Sequence, residues 1–119
     1  MRIDLDGDGT EELLIAATRL GGAGDFPPPS VTSGDYSLVV VRTTIDGMER
    51  TVDLVAEYYP KGQEFAAPNK HSLVAVADLN GDGRMEIVVD SKYYEGEAIF
   101  AYSVAEGQAE DVLRVGCGV

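Results

Sequence analysis

Two short runs of the sequence carry oxygen-bearing side chains at alternate positions. Residues 4–12 read DLDGDGTEE and residues 78–86 read DLNGDGRME, so each has Asp or Asn at its first, third and fifth positions. Both have glycine at the sixth position and glutamate at the ninth. Side-chain oxygens that converge from alternate positions of a loop are the ligands that Ca²⁺ prefers in proteins. The two runs, called loop 1 and loop 2 below, are therefore candidate calcium sites.

The position of each residue within its loop predicts its role at the ion. Glycine at position 6 allows a sharp turn that returns later residues to the ion, and position 7 contributes its backbone carbonyl. In loop 1 the predicted ligands are Asp4, Asp6, Asp8, the carbonyl of Thr10, and Glu12. In loop 2 they are Asp78, Asn80, Asp82, the carbonyl of Arg84, and Glu86. Loop 1 offers four carboxylates, whereas loop 2 offers three carboxylates and one amide. Loop 1 is therefore expected to bind Ca²⁺ more tightly.

An EF-hand, an acidic turn and a site for a different metal fit the two loops less well. An EF-hand needs glutamate at position 12 and flanking helices, whereas that position here is Ile15 or Val89. An Asx-type turn explains one aspartate, but three or four crowded carboxylates repel one another without a cation. The chain has one histidine and one cysteine, which disfavours Zn²⁺. Mg²⁺ is less suited because it keeps its waters and demands octahedral geometry.

Strand signals surround both loops, and no segment has a sustained helical period. β-Branched and alternating apolar residues predict strands at residues 36–44, 51–59, 72–78, 86–91, 97–104 and 110–115. Residues 12–18 taken alone also suit a helix, and the internal repeat described below assigns residues 13–17 to a strand. Asp46-Gly47 and Glu106-Gly107 predict tight hairpin turns. In the strand at 51–59, alternation places Val52 and Ala56 on one face and Glu57 on the other.

The loops belong to an internal repeat. ELLI follows loop 1 and EIVV follows loop 2, and the two predicted hairpin turns also correspond. The first copy carries an insertion at residues 20–35, which contains GGAG and three consecutive prolines. Each copy reads as strand, Asp loop, strand, connection, strand, glycine turn and strand.

The predicted fold is all-β, with two four-stranded antiparallel units like propeller blades. It has about seven strands, because only residues 2 and 3 precede loop 1. We expect a single domain over residues 1–119, with repeat 1 at 1–59 and repeat 2 at 72–119. Met1-Arg2 lead straight into loop 1, so we also expect the chain to be a piece of a longer protein.

The charge balance narrows the classes of partner. There are 21 acidic residues against 9 basic ones, which gives a net charge of -12. Such a surface repels nucleic acid and anionic membranes, and no apolar run approaches the ~18 residues of a membrane-spanning helix. Eight of the acidic residues lie in the loops: Asp4, Asp6, Asp8, Glu11, Glu12, Asp78, Asp82 and Glu86. That concentration favours cation binding over a diffuse acidic surface.

No residues form a recognisable catalytic motif, so the chain is expected not to be an enzyme. His71, the only histidine, is expected in a surface loop. Cys117 is expected beneath the last strand, with a reactive thiol or an interchain disulfide as alternatives. The weak candidates for ligand contact are Tyr58, Tyr59, Tyr93 and Tyr94. In each tyrosine pair one ring is expected in the core and the other at the surface, and the alternative is an aromatic patch that binds a protein or glycan.

The segments DLDGDGTEELLI and DLNGDGRMEIVV resemble the calcium loops of FG-GAP repeats, known from integrin alpha subunits and bacterial VCBS-type repeat proteins. In that family the pattern D-x-[DN]-x-D-G-x-x-D lies between the first two strands of a β-propeller blade. The resemblance implies one structural Ca²⁺ in each loop, held by positions 1, 3, 5, 7 and 9. It also implies an extracellular, cell-surface or periplasmic location.

The chain departs from that family in three respects. Position 9 is glutamate instead of the usual aspartate, the FG and GAP motifs are not visible, and two units cannot close a propeller ring. Three arrangements are open: the last blades of a longer propeller, a compact two-sheet domain, or part of a homo-oligomer. The resemblance implies a binding, adhesion or scaffold module with a protein or glycan ligand. The alternative is an accessory, non-catalytic domain of a secreted hydrolase or other enzyme.

Overall fold

The computed structural model describes residues 1–21 and 26–118, and within them it contains eight strands and no helix. The strands are β1 (Arg2–Ile3), β2 (Glu12–Arg19), β3 (Asp35–Ile45), β4 (Met48–Tyr59), β5 (Lys70–Ala77), β6 (Glu86–Tyr93), β7 (Gly96–Ala105) and β8 (Gln108–Gly118). Strands β1–β4 form sheet 1 and β5–β8 form sheet 2, each antiparallel and in chain order. The predicted fold class is confirmed, with the two-residue β1 as the eighth strand. No helix in the described ranges could span a membrane.

The predicted hairpin turns join the last two strands of each sheet. Asp46 and Gly47 have φ values of 52° and 76°, and Glu106 and Gly107 have φ values of 53° and 75°. Positive φ at both central residues is the type I′ geometry, whose twist matches that of the flanking strands. The third and fourth strands of each repeat are therefore paired by local sequence alone.

A β-bulge in β4 changes which of its side chains face sheet 2. The register shifts between Val39 and Val40, where β4 contributes one extra residue. Because the bulge reverses the alternation, Glu57 lies on the same face as Val52, toward the core, and Ala56 lies on the opposite face. The predicted faces of this strand are therefore wrong.

One hydrophobic core lies between the two sheets. Its buried members are Leu14, Val39 and Val41 of sheet 1, Ile87, Val89, Tyr102 and Val104 of sheet 2, and Leu5 of loop 1. Burying an aliphatic side chain of this size stabilises the fold by roughly 1.5–3 kcal/mol. Because Leu5 belongs to this core, loop 1 is attached directly to it.

Two further predictions are wrong in the structure. His71 is buried, because β5 begins at Lys70 and carries His71 into the space between the sheets. Cys117 is exposed, because β8 is the edge strand of sheet 2 and nothing in the described ranges covers it.

The predicted insertion lies partly outside the described residues, at positions 22–25. Its described part is attached to the connection between the sheets. Val31 is buried and forms an antiparallel bridge with Gln63, and the N–H of Ala67 donates to the carbonyl of Pro29 at 2.9 Å.

Candidate metal centre

Loop 1 is folded around the carboxylate of Asp4. Its Oδ1 accepts the N–H of Gly7 at 2.8 Å and of Asp8 at 3.2 Å, and its Oδ2 accepts the N–H of Gly9 at 2.9 Å. Gly7 and Gly9 have φ values of 77° and 88°, a conformation that side chains disfavour. The glycines therefore let the backbone wrap closely around the first aspartate.

Loop 2 repeats this geometry around Asp78. Its Oδ1 accepts the N–H of Gly81 at 2.8 Å and of Asp82 at 3.2 Å, and its Oδ2 accepts the N–H of Gly83 at 2.9 Å. The glycine φ values are 77° and 85°. The same spacing of Asp and Gly thus produces the same backbone twice.

A buried glutamate closes each loop at the start of the following strand. Oε2 of Glu12 accepts the N–H of Leu5 at 2.8 Å, and Oε2 of Glu86 accepts the N–H of Leu79 at 2.6 Å. Both glutamates are buried, with only 4% and 3% of their surfaces exposed. Because a buried carboxylate requires compensation, each glutamate needs that N–H donor or a cation beside it.

The structure brings most of the predicted carboxylate ligands together. In loop 1, carboxylate oxygens of Asp4, Asp6 and Asp8 lie within 4.8 Å of one another, and Glu12 is not part of that group. In loop 2 the corresponding group is Asp78, Asp82 and Glu86. Each group offers oxygen atoms alone, which suits a hard cation such as Ca²⁺.

The remaining predicted ligands also have defined positions. Oδ1 of Asn80 accepts the N–H of Asp82 at 3.1 Å, so its side chain turns into loop 2. The N–H of Thr10 donates to Asp8 at 2.7 Å, and the N–H of Arg84 donates to Asp82 at 2.9 Å. In both loops the N–H of the position-7 residue is therefore held by the position-5 aspartate.

Electrostatics in loop 1 reflect the crowding of negative charge. Burial raises the pKa of Asp6, and the charges of Asp8 and Asp4 raise it further against the lowering effect of the Asp8 N–H. Burial likewise raises the pKa of Glu12, and the charges of Asp6, Asp8 and Asp4 add to this against the N–H of Leu5. A bound cation would offset both effects, because it favours the ionised carboxylates.

The same hydrogen bonds are also those of Asx-type turns. Each aspartate accepts backbone N–H groups, as such turns require. An ionised carboxylate has about four lone-pair sites, so even the three N–H donors at Asp4 leave one site for a metal. Exposed acidic groups of this kind are common without an ion. The donor set fits Ca²⁺, and a binding measurement distinguishes a calcium site from an acidic turn.

The two loops touch each other across the sheets. The carbonyl of Leu5 accepts the N–H of Met85 at 2.8 Å, and a methyl group on Gly7 would lie 3.4 Å from the carbonyl oxygen of Gly83. Loop 1 is therefore held against loop 2 by backbone contacts, in addition to the burial of Leu5.

A second polar group, missed by the sequence analysis, lies at the other end of the sheets. His71 Nε2 is 2.7 Å from Oε2 of Glu57, and His71 Nδ1 is 2.6 Å from Oγ of Ser91. The backbone N–H of His71 donates to Oγ of Ser37 at 2.8 Å, and Thr18 Oγ1 is 2.7 Å from the same oxygen. We call these five residues the polar layer.

Hydrogen bonds give Glu57 an unusual ionisation. Burial raises its pKa, but donors from His71, the Tyr59 hydroxyl and the Asn69 N–H outweigh this and lower the pKa to about 2. Glu57 therefore stays ionised in all but strongly acidic solution, and it links β4 of sheet 1 to β5 of sheet 2.

The polar layer contains a serine, a histidine and a carboxylate, the residue types of a hydrolytic triad. Ser91 and His71 are only 4% and 6% exposed, however, so their reactive atoms are closed to a substrate. The layer acts as a connection between the sheets. Sequence patterns did not indicate this layer, because they place His71 in a loop and, without the bulge, Glu57 on the opposite face of β4. The available signal was a lone glutamate in the apolar run LVAEYY.

Each tyrosine pair has one exposed and one half-buried ring. Tyr58 and Tyr94 are exposed, whereas Tyr59 donates its hydroxyl to Oε1 of Glu57 at 2.6 Å. Tyr93 packs edge-on against Tyr94 with 5.8 Å between ring centroids. Tyr58 and Tyr59 also line a shallow hollow of about 270 Å³ together with Gly34, Asp35, Tyr36 and Pro60.

In comparisons with known protein families, with curated proteins and with solved structures, nothing matches this chain. The likeness to FG-GAP repeats therefore depends on the loop residues alone.

Proposed function

We propose that this chain is a non-enzymatic, calcium-binding β-repeat domain that holds one Ca²⁺ in each Asp loop. The observation that carries the proposal is the repetition of one geometry. Two loops with the same spacing place three carboxylates each within 4.8 Å, beside a backbone that curls around the first aspartate. Three carboxylates held so close together repel one another, and the occurrence of this crowding in both loops supports a cation in each.

The role proposed for Ca²⁺ is structural. Each loop joins the first and second strands of its sheet, and its closing glutamate is the first residue of the second strand. A cation bound there neutralises the carboxylates and fixes the strand connection. A ligand that binds only the folded state stabilises it by roughly 2.7 kcal/mol at a hundredfold excess over its Kd.

The wider role follows from the likeness to FG-GAP and VCBS-type repeats. We propose a binding, adhesion or scaffold module that works where calcium is abundant, outside the cell or in the periplasm. The hollow beside Tyr58 and Tyr59 is the candidate contact for a protein or glycan, because exposed aromatic rings suit such ligands.

The experiment is a calorimetric titration of chelator-stripped protein with Ca²⁺, with Mg²⁺ as competitor. We expect two sites per chain and much weaker binding of Mg²⁺. Asp82→Asn keeps an acceptor for the N–H of Arg84 but removes a charge, so it should eliminate or greatly weaken one site. Asp53→Asn, which removes a charge from an exposed aspartate of β4, is the matched control and should leave two sites.

Thermal unfolding with calcium and with chelator separates a metal site from a turn. In calcium, Asp82→Asn should lower Tm relative to the unchanged protein, and in chelator the two should unfold together. Equal loss of stability under both conditions would favour an Asx-type turn. No heat of binding up to millimolar Ca²⁺ would contradict the proposal.

A further inference from the structure

The two sheets pack on each other through faces that are not equivalent. Leu14 of sheet 1 faces the core, and its counterpart in the repeat, Val88, lies on the outer face of sheet 2. Ile87 of sheet 2 faces the core, and its counterpart, Leu13, lies on the outer face of sheet 1. The contact is therefore heterologous, with one kind of face meeting the other kind.

Within residues 1–21 and 26–118, no second sheet covers the outer face of either sheet. Phe26 of the insertion lies at one end of the outer face of sheet 2, with its ring centroid 5.6 Å from Nζ of Lys92. The outer face of sheet 1, the head face, includes Leu13, Ile15, Ala17, Leu38, Val40 and Ala56. The outer face of sheet 2, the tail face, includes Val88, Ile99, Ala101, Leu113 and Val115. When the two repeats are aligned, the residues of the head face correspond to those on the buried face of sheet 2. The residues of the tail face correspond to those on the buried face of sheet 1.

We propose that the tail face of one copy of this chain binds the head face of a second copy, in the same way that sheet 1 binds sheet 2 within the chain. The occupant is identified by continuity with the internal interface, because the chain carries the apolar residues of both surfaces. The head face is shorter at one edge, where it has the two residues of β1 in place of β5. Leu113 and Val115 are 51% and 60% exposed on β8, so the tail face offers apolar area to bury.

The loops give independent support. Leu5 is 1% exposed because it inserts against sheet 2, whereas its counterpart Leu79 is 55% exposed. In the second contact Leu79 occupies the place of Leu5. The carbonyl of Leu79 in one copy then accepts the N–H of Glu11 in the second copy. This bond corresponds to the one within the chain, in which the carbonyl of Leu5 accepts the N–H of Met85.

Charge at the other end of the faces is also complementary. The tail face carries Asp90, whose buried Oδ1 has no hydrogen-bond partner among the described residues. Glu97 lies on the same face, and Lys92 lies within 4.0 Å of both carboxylates. The corresponding end of the head face carries the exposed guanidinium of Arg19. A head-to-tail contact brings this cation toward Oδ1 of Asp90, while Oδ2 stays paired with Lys92 at 3.5 Å.

The test measures the mass of the 119-residue chain in calcium buffer by sedimentation and light scattering. The protein concentration is varied from about 1 µM to about 1 mM. We expect species heavier than the 12.7 kDa monomer, increasing with concentration. Val115→Glu on the tail face and Ala17→Glu on the head face should each raise the dissociation constant by at least about tenfold. Phe65→Glu adds the same charge at an exposed apolar residue of the connection and is the matched control.

Mixing the two face variants distinguishes a head-to-tail contact from a symmetric one. Ala17→Glu keeps an intact tail and Val115→Glu keeps an intact head, so an equimolar mixture should form a dimer and nothing larger. Circular dichroism checks that each variant is folded, and Ala17→Gln and Leu79→Asp replace any that is not.

Three results would overturn the proposal. The unchanged protein could stay at monomer mass throughout, or each variant alone could associate as well as the unchanged protein. The mixture could also show no more dimer than its separate components. The second result would instead indicate pairing along the open edge of β8.

Discussion

Loop 1 and loop 2 have the same hydrogen bonds and very different surroundings. The first aspartate of each accepts N–H groups from the third, fourth and fifth residues after it, at matching distances. The apolar residue beside that aspartate, however, is buried in loop 1 as Leu5 and exposed in loop 2 as Leu79. Local sequence therefore determines the backbone of the loop, whereas the neighbouring sheet determines the burial of its side chain.

The same contrast applies to the opposite end of the sheets. Sheet 1 faces sheet 2 through Thr18, Ser37 and Glu57 of the polar layer. The residues at the corresponding positions of sheet 2 are Lys92, Glu97 and Cys117, which lie on its outer face. At this end the two repeats therefore differ in both residue type and burial.

The largest expected effect concerns the two leucines. Leu5→Ala should lower the free energy of unfolding by about 2–5 kcal/mol, because it leaves a cavity in the core. Leu79→Ala should change it by no more than about 0.5 kcal/mol in dilute protein, since that side chain is exposed. Urea unfolding of both variants measures the difference. Equal losses would mean that the loops have equivalent surroundings.

The polar layer should make the contact between sheets sensitive to acid. The pKa of Glu57 is about 2 in the folded chain, whereas the pKa of a free glutamate carboxyl is 4.5. A lowered folded-state pKa gives stability that is complete above pH 4.5 and is lost as pH falls toward 2, on the order of 2–3 kcal/mol.

Urea unfolding as a function of pH tests this with Glu57→Gln. The stability gap between the unchanged protein and the variant should be largest near neutral pH and should shrink between pH 4.5 and 2. Glu49→Gln, at an exposed carboxylate paired with Arg42, is the control and should show almost no gap. A Glu57→Gln gap that is constant with pH would show that the ionised carboxylate does not stabilise the contact.

A smaller effect sharpens the comparison within loop 1. Glu12→Gln should weaken calcium binding at that loop by about tenfold, because it removes a charge from the buried closing position. Glu11→Gln, one residue earlier and exposed, should change the affinity much less. Calorimetry on both variants provides the measurement, and similar affinities would show that the ligand positions in loop 1 are shifted.

The sequence predicted the features that depend on neighbouring residues. The Asp and Gly spacing indicated both loops, and the Asp-Gly and Glu-Gly pairs indicated both hairpin turns. The sequence did not predict features that depend on contacts between distant segments of the chain. The bulge in β4 depends on the pairing with β3, and it reversed the predicted face of Glu57. The burial of His71 depends on sheet 1 covering β5, which no local pattern encodes.

The chain-order arrangement of the strands also has a consequence for the folding pathway. Every strand pairs with its neighbour in sequence, so each sheet can form by closing short loops, at small entropic expense. Contacts between sheet 1 and sheet 2 span longer stretches of chain and therefore form more slowly. Folding should thus proceed through two nearly independent sheets, and Leu5 and His71 should become protected from solvent only in the final docking step.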